Sequence, residues 1–314
     1  MTYSLGGLIQ ASDYNSFAGG STANVSGQVN TVYSTGYGNA GYGQGTVSNV
    51  SVSGSVTATQ WSTLVGAVNV VRKHQSGAGF SNLSLYTPGD TINADTDVGT
   101  NATTAYTNRL VRDTLGTTTT GTVYGLTVSS PNTTSAVSNN VTRTATFGSG
   151  NNARYFFNAG GELRFYVTGY TNTGGTTRGV ALGGTCATGF GGKTIKAQDC
   201  SARYGTGLTV TTDLTSGAGY YSLTTSAVVK CKITGSTYAS VYNADYCQLE
   251  VWSNGAQTSN GDAGSVVNMR LTAYSGAQSP AFNDSIDVTI DHRVDIAYPS
   301  TAYLSNTWGT VTIA

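Results

Sequence analysis

The chain has 314 residues, and only 10% of them are charged, against roughly 25% in an average soluble protein. Fifteen Lys and Arg balance fifteen Asp and Glu, so no basic surplus exists to neutralise phosphates, which excludes nucleic acid as a partner. There is no run of 18 apolar residues, which excludes a membrane-inserted helix.

The opening MTYSLGGLIQ has neither a basic n-region nor an apolar stretch of signal length, so the chain is expected to stay in the cytoplasm where it is made. Residues 7 to 17, GLIQASDYNSF, are echoed at residues 54 to 64, GSVTATQWSTL, 47 positions later. Ala11 aligns with Ala58, Tyr14 with Trp61, Asn15 with Ser62 and Phe17 with Leu64. Each copy predicts a short β-branched entry, a bend at alanine, a capping residue and a helix whose buried face starts at the aromatic.

The first helix is predicted from Ser12 to about Tyr33, interrupted at Gly19-Gly20. The second shows one apolar face through Trp61, Leu64, Val65, Val68 and Val71, a capping box of Thr57 and Gln60, and a stop near His74 and Gly77. GDTINAD at 89 to 95, followed by TTAYTNRLVRD, is a weaker third echo. Residues 1–117 are therefore assigned to a helical docking region with internal repeats. Its docking surface is assigned to Tyr14, Phe17, Trp61, Leu64, Tyr42 and His74.

After the threonine run at 117 to 120 the pattern changes to period two broken by glycine turns, the signature of antiparallel sheet. TVYGLTVSS, SLTTSAVVKCKITG, YCQLEVWSNG, VVNMRLTAYSG and SIDVTIDHRVDIAY read as strands, and RYFFNAGGELRFYV reads as a hairpin turning at Asn158 to Gly161. The glycine-rich stretch from 169 to 219 reads as one or two long loops. Residues 118–314 are thus expected to form an antiparallel β-sandwich, jelly-roll or Ig-like. The fold class is mainly β, with a small helical N-terminal region of repeated strand-turn-helix units. Removing residues 1 to 80 is expected to leave that β region folded.

Chemistry-bearing constellations are few. Glu162 and Glu250 are the only glutamates, and no facing carboxylate pair of the kind a glycosidase needs stands out. NADTDVGTN has alternate oxygen ligands but lacks the glycine and glutamate of a calcium loop, and GYGNAGYGQG lacks the lysine of a phosphate loop. Cys186, Cys200, Cys231 and Cys247 lack zinc spacing; buried thiols are expected, with bridges 186–200 and 231–247 as the alternative. His292 falls on the apolar side of its strand and reads as a core histidine, with Asp287, Asp291, Arg293 and Asp295 on the other side. Tyr33, Tyr37, Tyr42, Tyr220, Tyr221, Tyr238, Tyr242 and Tyr246, set among Gly, Ser and Asn, suit adaptable protein or sugar contacts. No enzyme, no metal and no cofactor is expected.

The doubled phrase, the helix ending His74-Gln75, GYGQG at 41 to 45, ARYFFNAGGELRF at 153 to 165 and the closing YPSTAYLSNTWGTVTI resemble virion structural proteins of tailed bacteriophages, above all phages of cyanobacteria and other aquatic bacteria. The likeness covers the first 80 residues and 153 to 165; the Gly19-Gly20 pair departs from a long regular helix. It implies a multi-copy component of the neck, tail or baseplate, assembled in the host cytoplasm and located in the virion. Its partners would be other virion proteins and copies of itself in a ring or symmetric array. A capsid decoration protein and a receptor adhesin that binds host surface polysaccharide are the alternatives.

Overall fold

A computed structural model describes residues 9–19, 24–90, 96–131, 134–198, 200–202, 209–212, 219–235, 240–258, 260–279 and 284–314. Its described residues form six α-helices and two antiparallel sheets. The first sheet holds β1 (Leu115–Thr119), β2 (Tyr124–Ser130), β4 (Glu162–Asn172), β5 (Gly192–Ile195), β6 (Cys200–Ala202) and β11 (Ile286–Pro299). Long β11 is central: β1 and β2 pair with different stretches of one side and β4 with the other. The second sheet runs β12 (Thr312–Ile313), β3 (Val137–Thr146), β10 (Val266–Ser275), β9 (Tyr246–Ser253), β8 (Val228–Thr234) and β7 (Thr209–Thr212).

Alternation fixes which way each strand faces. Ile286, Val288, Ile290, His292, Val294 and Ile296 of β11 are buried, as are Cys247, Leu249 and Val251 of β9 and Val267, Met269 and Leu271 of β10. Both sheets contribute to one core cluster, which also takes in Val32, Tyr42, Val71 and Ala105 from the first 117 residues. The expected boundary at 117/118 falls inside β1. A second cluster, centred on Trp61, lies within the helices α1 (Ala11–Ala18), α3 (Ala58–Ser76) and α4 (Thr96–Thr107) and the segments beside them. Between α1 and α3 lies the single turn α2 (Val29–Val32).

The first helix is shorter than the expected Ser12–Tyr33: it stops at Gly19, whose φ of 72° takes the backbone out of the helical region. Helix α3 matches its reading closely, with Thr57 and Gln60 capping each other and Gly77 at the end. Two strand-stage readings fail. RYFFN is not the first arm of a hairpin but helix α5 (Gly150–Asn158), capped by Ser149, whose hydroxyl accepts from the Asn152 amide at 3.1 Å. Its aromatic run looks β-like, but Ala153, Phe156 and Phe157 share one buried face, and Arg154 and Asn158 stand one turn apart on another. The glycine-rich stretch from 169 to 219 is not only loop: it contains α6 (Thr177–Gly184), a π-helical turn (Thr185–Phe190), β5, β6 and β7. The weak calcium-loop motif is helical from Thr96 onward, where the Asn101 side chain donates to the Asp97 carbonyl, and residues 93–95 lie outside the described residues.

Helix α5 joins the helical layer to the sheets. Fully buried Arg154 donates to the carbonyls of Ala40 at 2.7 Å and Thr35 at 2.6 Å, and Asn158 Nδ2 lies 3.0–3.1 Å from those of Gly38, Ala40 and Gly41. The loop GYGNAGYGQG therefore binds protein side chains through its carbonyls, the reverse of a phosphate-binding loop. Glycine is required at Gly36, where φ is 53° and a Cβ would sit 2.4 Å from the Thr31 carbonyl.

Extended segments that lack ladder partners are held by side-chain amides. Asn15 donates to the Val50 carbonyl at 2.8 Å and accepts from the Val50 amide at 2.7 Å. Asn30 grips Val47 in the same way, Asn69 grips Leu83, and Gln44 grips Ser305. Each carboxamide presents a donor and an acceptor as a neighbouring strand would.

Arg154→Met leaves the Thr35 carbonyl without a donor and strips one of the donors from Gly38 and Ala40, which keep Asn158, at about 1–3 kcal/mol for an acceptor left unsatisfied. Urea unfolding of this variant should show a loss of about 1–3 kcal/mol; a loss under ~0.5 kcal/mol would mean the clamp is dispensable. Deleting residues 1–80 removes Val32, Tyr42 and Val71 from the shared core and should abolish cooperative unfolding, not leave a folded β region.

Candidate binding face

The six residues assigned to docking do not face outward. Tyr14, Phe17, Trp61, Leu64, Tyr42 and His74 are all buried within the chain. The Tyr14 and Trp61 rings lie 6.3 Å apart, Phe17 meets Trp61 edge-on at 6.1 Å, and the Tyr14 hydroxyl donates to the Gln60 carbonyl at 3.3 Å. Tyr42 donates to the Arg109 carbonyl and packs edge-on against His74. Burial drives the His74 pKa down to about 4, so its imidazole is neutral against the Ala159 carbonyl.

Three of the loop tyrosines are likewise spent inside the fold, while Tyr33 is half-buried and Tyr37 exposed. Tyr220 donates to the Gly264 carbonyl, Tyr221 lies at 2.8 Å from the Gly38 carbonyl, and Tyr242 donates to Asp284 at 2.7 Å. Tyr238 lies outside the described residues. His292 is a core histidine as read: Arg143 Nε donates to its Nε2 at 3.1 Å, which leaves the proton on Nδ1, toward the Ile290 carbonyl. Cys186, Cys231 and Cys247 are buried and lie outside any disulfide, with Cys186 against Cys247; the register sets Ile233, not Cys231, opposite Cys247. The side chain of Cys200 lies outside the described residues. No group of three or more metal-ligating side chains occurs among the described residues.

What faces outward is the far side of the second sheet. On β9 and β10, cross-strand pairing sets Tyr246 beside Tyr274, Gln248 beside Thr272, Glu250 beside Arg270 and Trp252 beside Asn268. All but Thr272 are half-buried, while the alternate residues fill the core. Helix α6 and the π-helical turn pack from the core side, through Leu182, Cys186 and Phe190. Arg270 holds Glu250 with two bonds of 2.8 and 2.9 Å, and those bonds keep the Glu250 carboxyl below its ordinary pKa. Tyr246 and Tyr274 stack at 4.5 Å with Lys232 over the Tyr246 ring, and Arg270 lies over Trp252. The hydroxyls of Tyr246 and Tyr274 and the Trp252 indole N–H have no hydrogen-bond partner among the described residues, unlike the buried tyrosines.

Sequence reasoning singled out only two residues of this face, Tyr246 as a contact residue and Glu250 as a glutamate without a facing carboxylate. The signal for the others was the alternation in YCQLEVWS and MRLTAYS, which sets Trp252 and Tyr274 on the same side as Tyr246 and Arg270.

A buried polar centre sits at one end of β10. Arg178 donates through Nε to the Ser275 hydroxyl at 2.7 Å, and that hydroxyl donates to Asp245 Oδ1 at 2.9 Å. Burial lifts the Asp245 pKa to about 6 against the opposing pull of Ser275, Gly276 and Arg178. Comparison of the chain with protein-family models, with curated proteins and with solved structures returned no match.

These shifts predict opposite pH slopes. The folded pKa of Asp245 is raised, so its contribution is fullest below pH 3.8 and is lost as pH rises through about 6. The folded pKa of His74 is lowered, so its contribution is full above 6.5 and is lost as pH falls through about 4. Denaturation of Asp245→Asn between those limits should show stability falling toward acid more steeply than in the parent, the two slopes differing by at most about 1.4 kcal/mol per pH unit. Parallel curves for variant and parent would refute the assignment.

Proposed function

We propose that the chain is a non-enzymatic structural component of a tailed-phage particle, used in many copies in the neck, tail or baseplate, with capsid decoration as the alternative position. The observation that carries this reading is how the charges are disposed. Among the described residues eight cations lie on aromatic rings within 5.5 Å, including Arg143 over Tyr124 at 3.6 Å and Arg293 over Tyr166 at 5.4 Å. A chain of this length would average about four. Each cation on a ring keeps its charge, but with only fifteen cations and fifteen anions in 314 residues, copies of the chain can be crowded together with little mutual repulsion.

Two finer readings accompany the proposal. The sheets are taken as a sandwich of jelly-roll or immunoglobulin-like order, and the doubled phrase as one unit used twice. Supporting the second, Ala11 and Ala58 both open helices, both N-caps form capping boxes, and Gln10 bridges Ser55. Asn15 and Ser62, at matching positions, each grip the N–H and C=O of one residue, Val50 and Tyr86 respectively.

Image reconstruction of intact particles should place this chain in a symmetric ring or array. Its absence from purified particles by mass spectrometry would overturn the proposal. Self-association measured by light scattering should change little between about 0.05 and 1 M NaCl, because screening has few exposed charges to act on.

A further inference from the structure

We infer that the outward side of β8, β9 and β10 is a binding site for a neutral polysaccharide, laid along β9 and β10 from Trp252 to the Tyr246–Tyr274 pair. The inference does not depend on the chain belonging to a phage particle. Six residues of strand separate Trp252 from Tyr246, about 20 Å, which is the length of a short run of sugar rings and too long for a small metabolite.

The chemistry of the face selects the ligand. Aromatic groups with an unspent polar handle stand at both ends, and such rings combine apolar area with one hydrogen bond at low entropic cost. Between them, Glu250 and Arg270 neutralise each other while still presenting carboxylate lone pairs and guanidinium N–H groups, the complement of neighbouring sugar hydroxyls. Gln248 and Asn268 flank the pair with further amide groups. A protein partner would have to desolvate the Glu250–Arg270 pair, which costs more than its attraction returns. A hydrated polymer leaves water around it. The balanced pair offers no net charge to an acidic glycan, and Lys232 beside it is seated on the Tyr246 ring.

The molecule carries its own reporter. Of its three tryptophans, Trp61 and Trp308 are buried, at 0% and 1% exposure, and only Trp252 is half-buried on a surface. Acrylamide quenching of the intact chain therefore reads Trp252. The test is affinity electrophoresis and quenching with soluble β-1,4-glucan, galactomannan and alginate, at low and high NaCl. The expected result is retardation by a neutral polymer, undiminished by salt, with that polymer shielding Trp252 from acrylamide. Trp252→Ala should weaken retardation at least tenfold, and Tyr166→Ala on the other sheet should leave it unchanged. If Trp252→Ala fails to fold, shielding of Trp252 in the parent decides. Absence of retardation by both neutral polymers, retardation by alginate alone that salt abolishes, or retardation without shielding would each overturn the site.

Discussion

The fold depends on one constraint: the carbonyls of Thr35, Gly38, Ala40 and Gly41 converge in the interior and must find donors there. Arg154 and Asn158 supply them from a single helix face, and Tyr221 closes the set. A buried guanidinium ordinarily calls for a carboxylate; among the described residues Arg154 has none within ion-pair distance. Its charge is spread over peptide dipoles and the Tyr155 ring at 4.8 Å. This arrangement makes the helical layer and the sheets one packing unit, because the loop belongs to the first and α5 to the second.

The same economy of charge recurs throughout. Glu162 draws Arg112 at 2.7 Å from the end of the helical layer and Arg164 at 2.7 Å from its own strand, so one carboxylate serves two layers. Elsewhere carboxamides replace ion pairs, and rings replace counter-ions. The composition follows from these devices. Asparagine and glycine are abundant because extended segments are fastened by amides and because tight loops must bring carbonyls close together.

Where pattern is local, the chain was readable. The alternation of β11 sorts its residues from Ile286 to Val294 correctly, although Asp295, expected on the solvated side, is buried, and the capping box of Thr57 with Gln60 marks the start of α3. Helix α5 was missed because consecutive aromatics in RYFFN satisfy strand preference, while the deciding contacts, from Arg154 and Asn158 to the loop at 35 to 41, are more than a hundred residues away in sequence. Tyr42 and Tyr246 look alike in composition of neighbours. One is buried by Arg109 and Gln75, the other lies on a solvated sheet, and only tertiary pairing separates them.

Gln44 and Ser305 exchange two hydrogen bonds across 261 positions, and the Thr307 hydroxyl donates to the Tyr42 carbonyl nearby. Closing so long a loop is slow and entropically costly. During synthesis the glycine loop must wait for residue 305 to emerge before its last partner arrives, whatever helices have already formed around it. The order of maturation is thereby set: the segment made early is completed by the segment made late, and a chain halted short of that point keeps an unfinished helical layer.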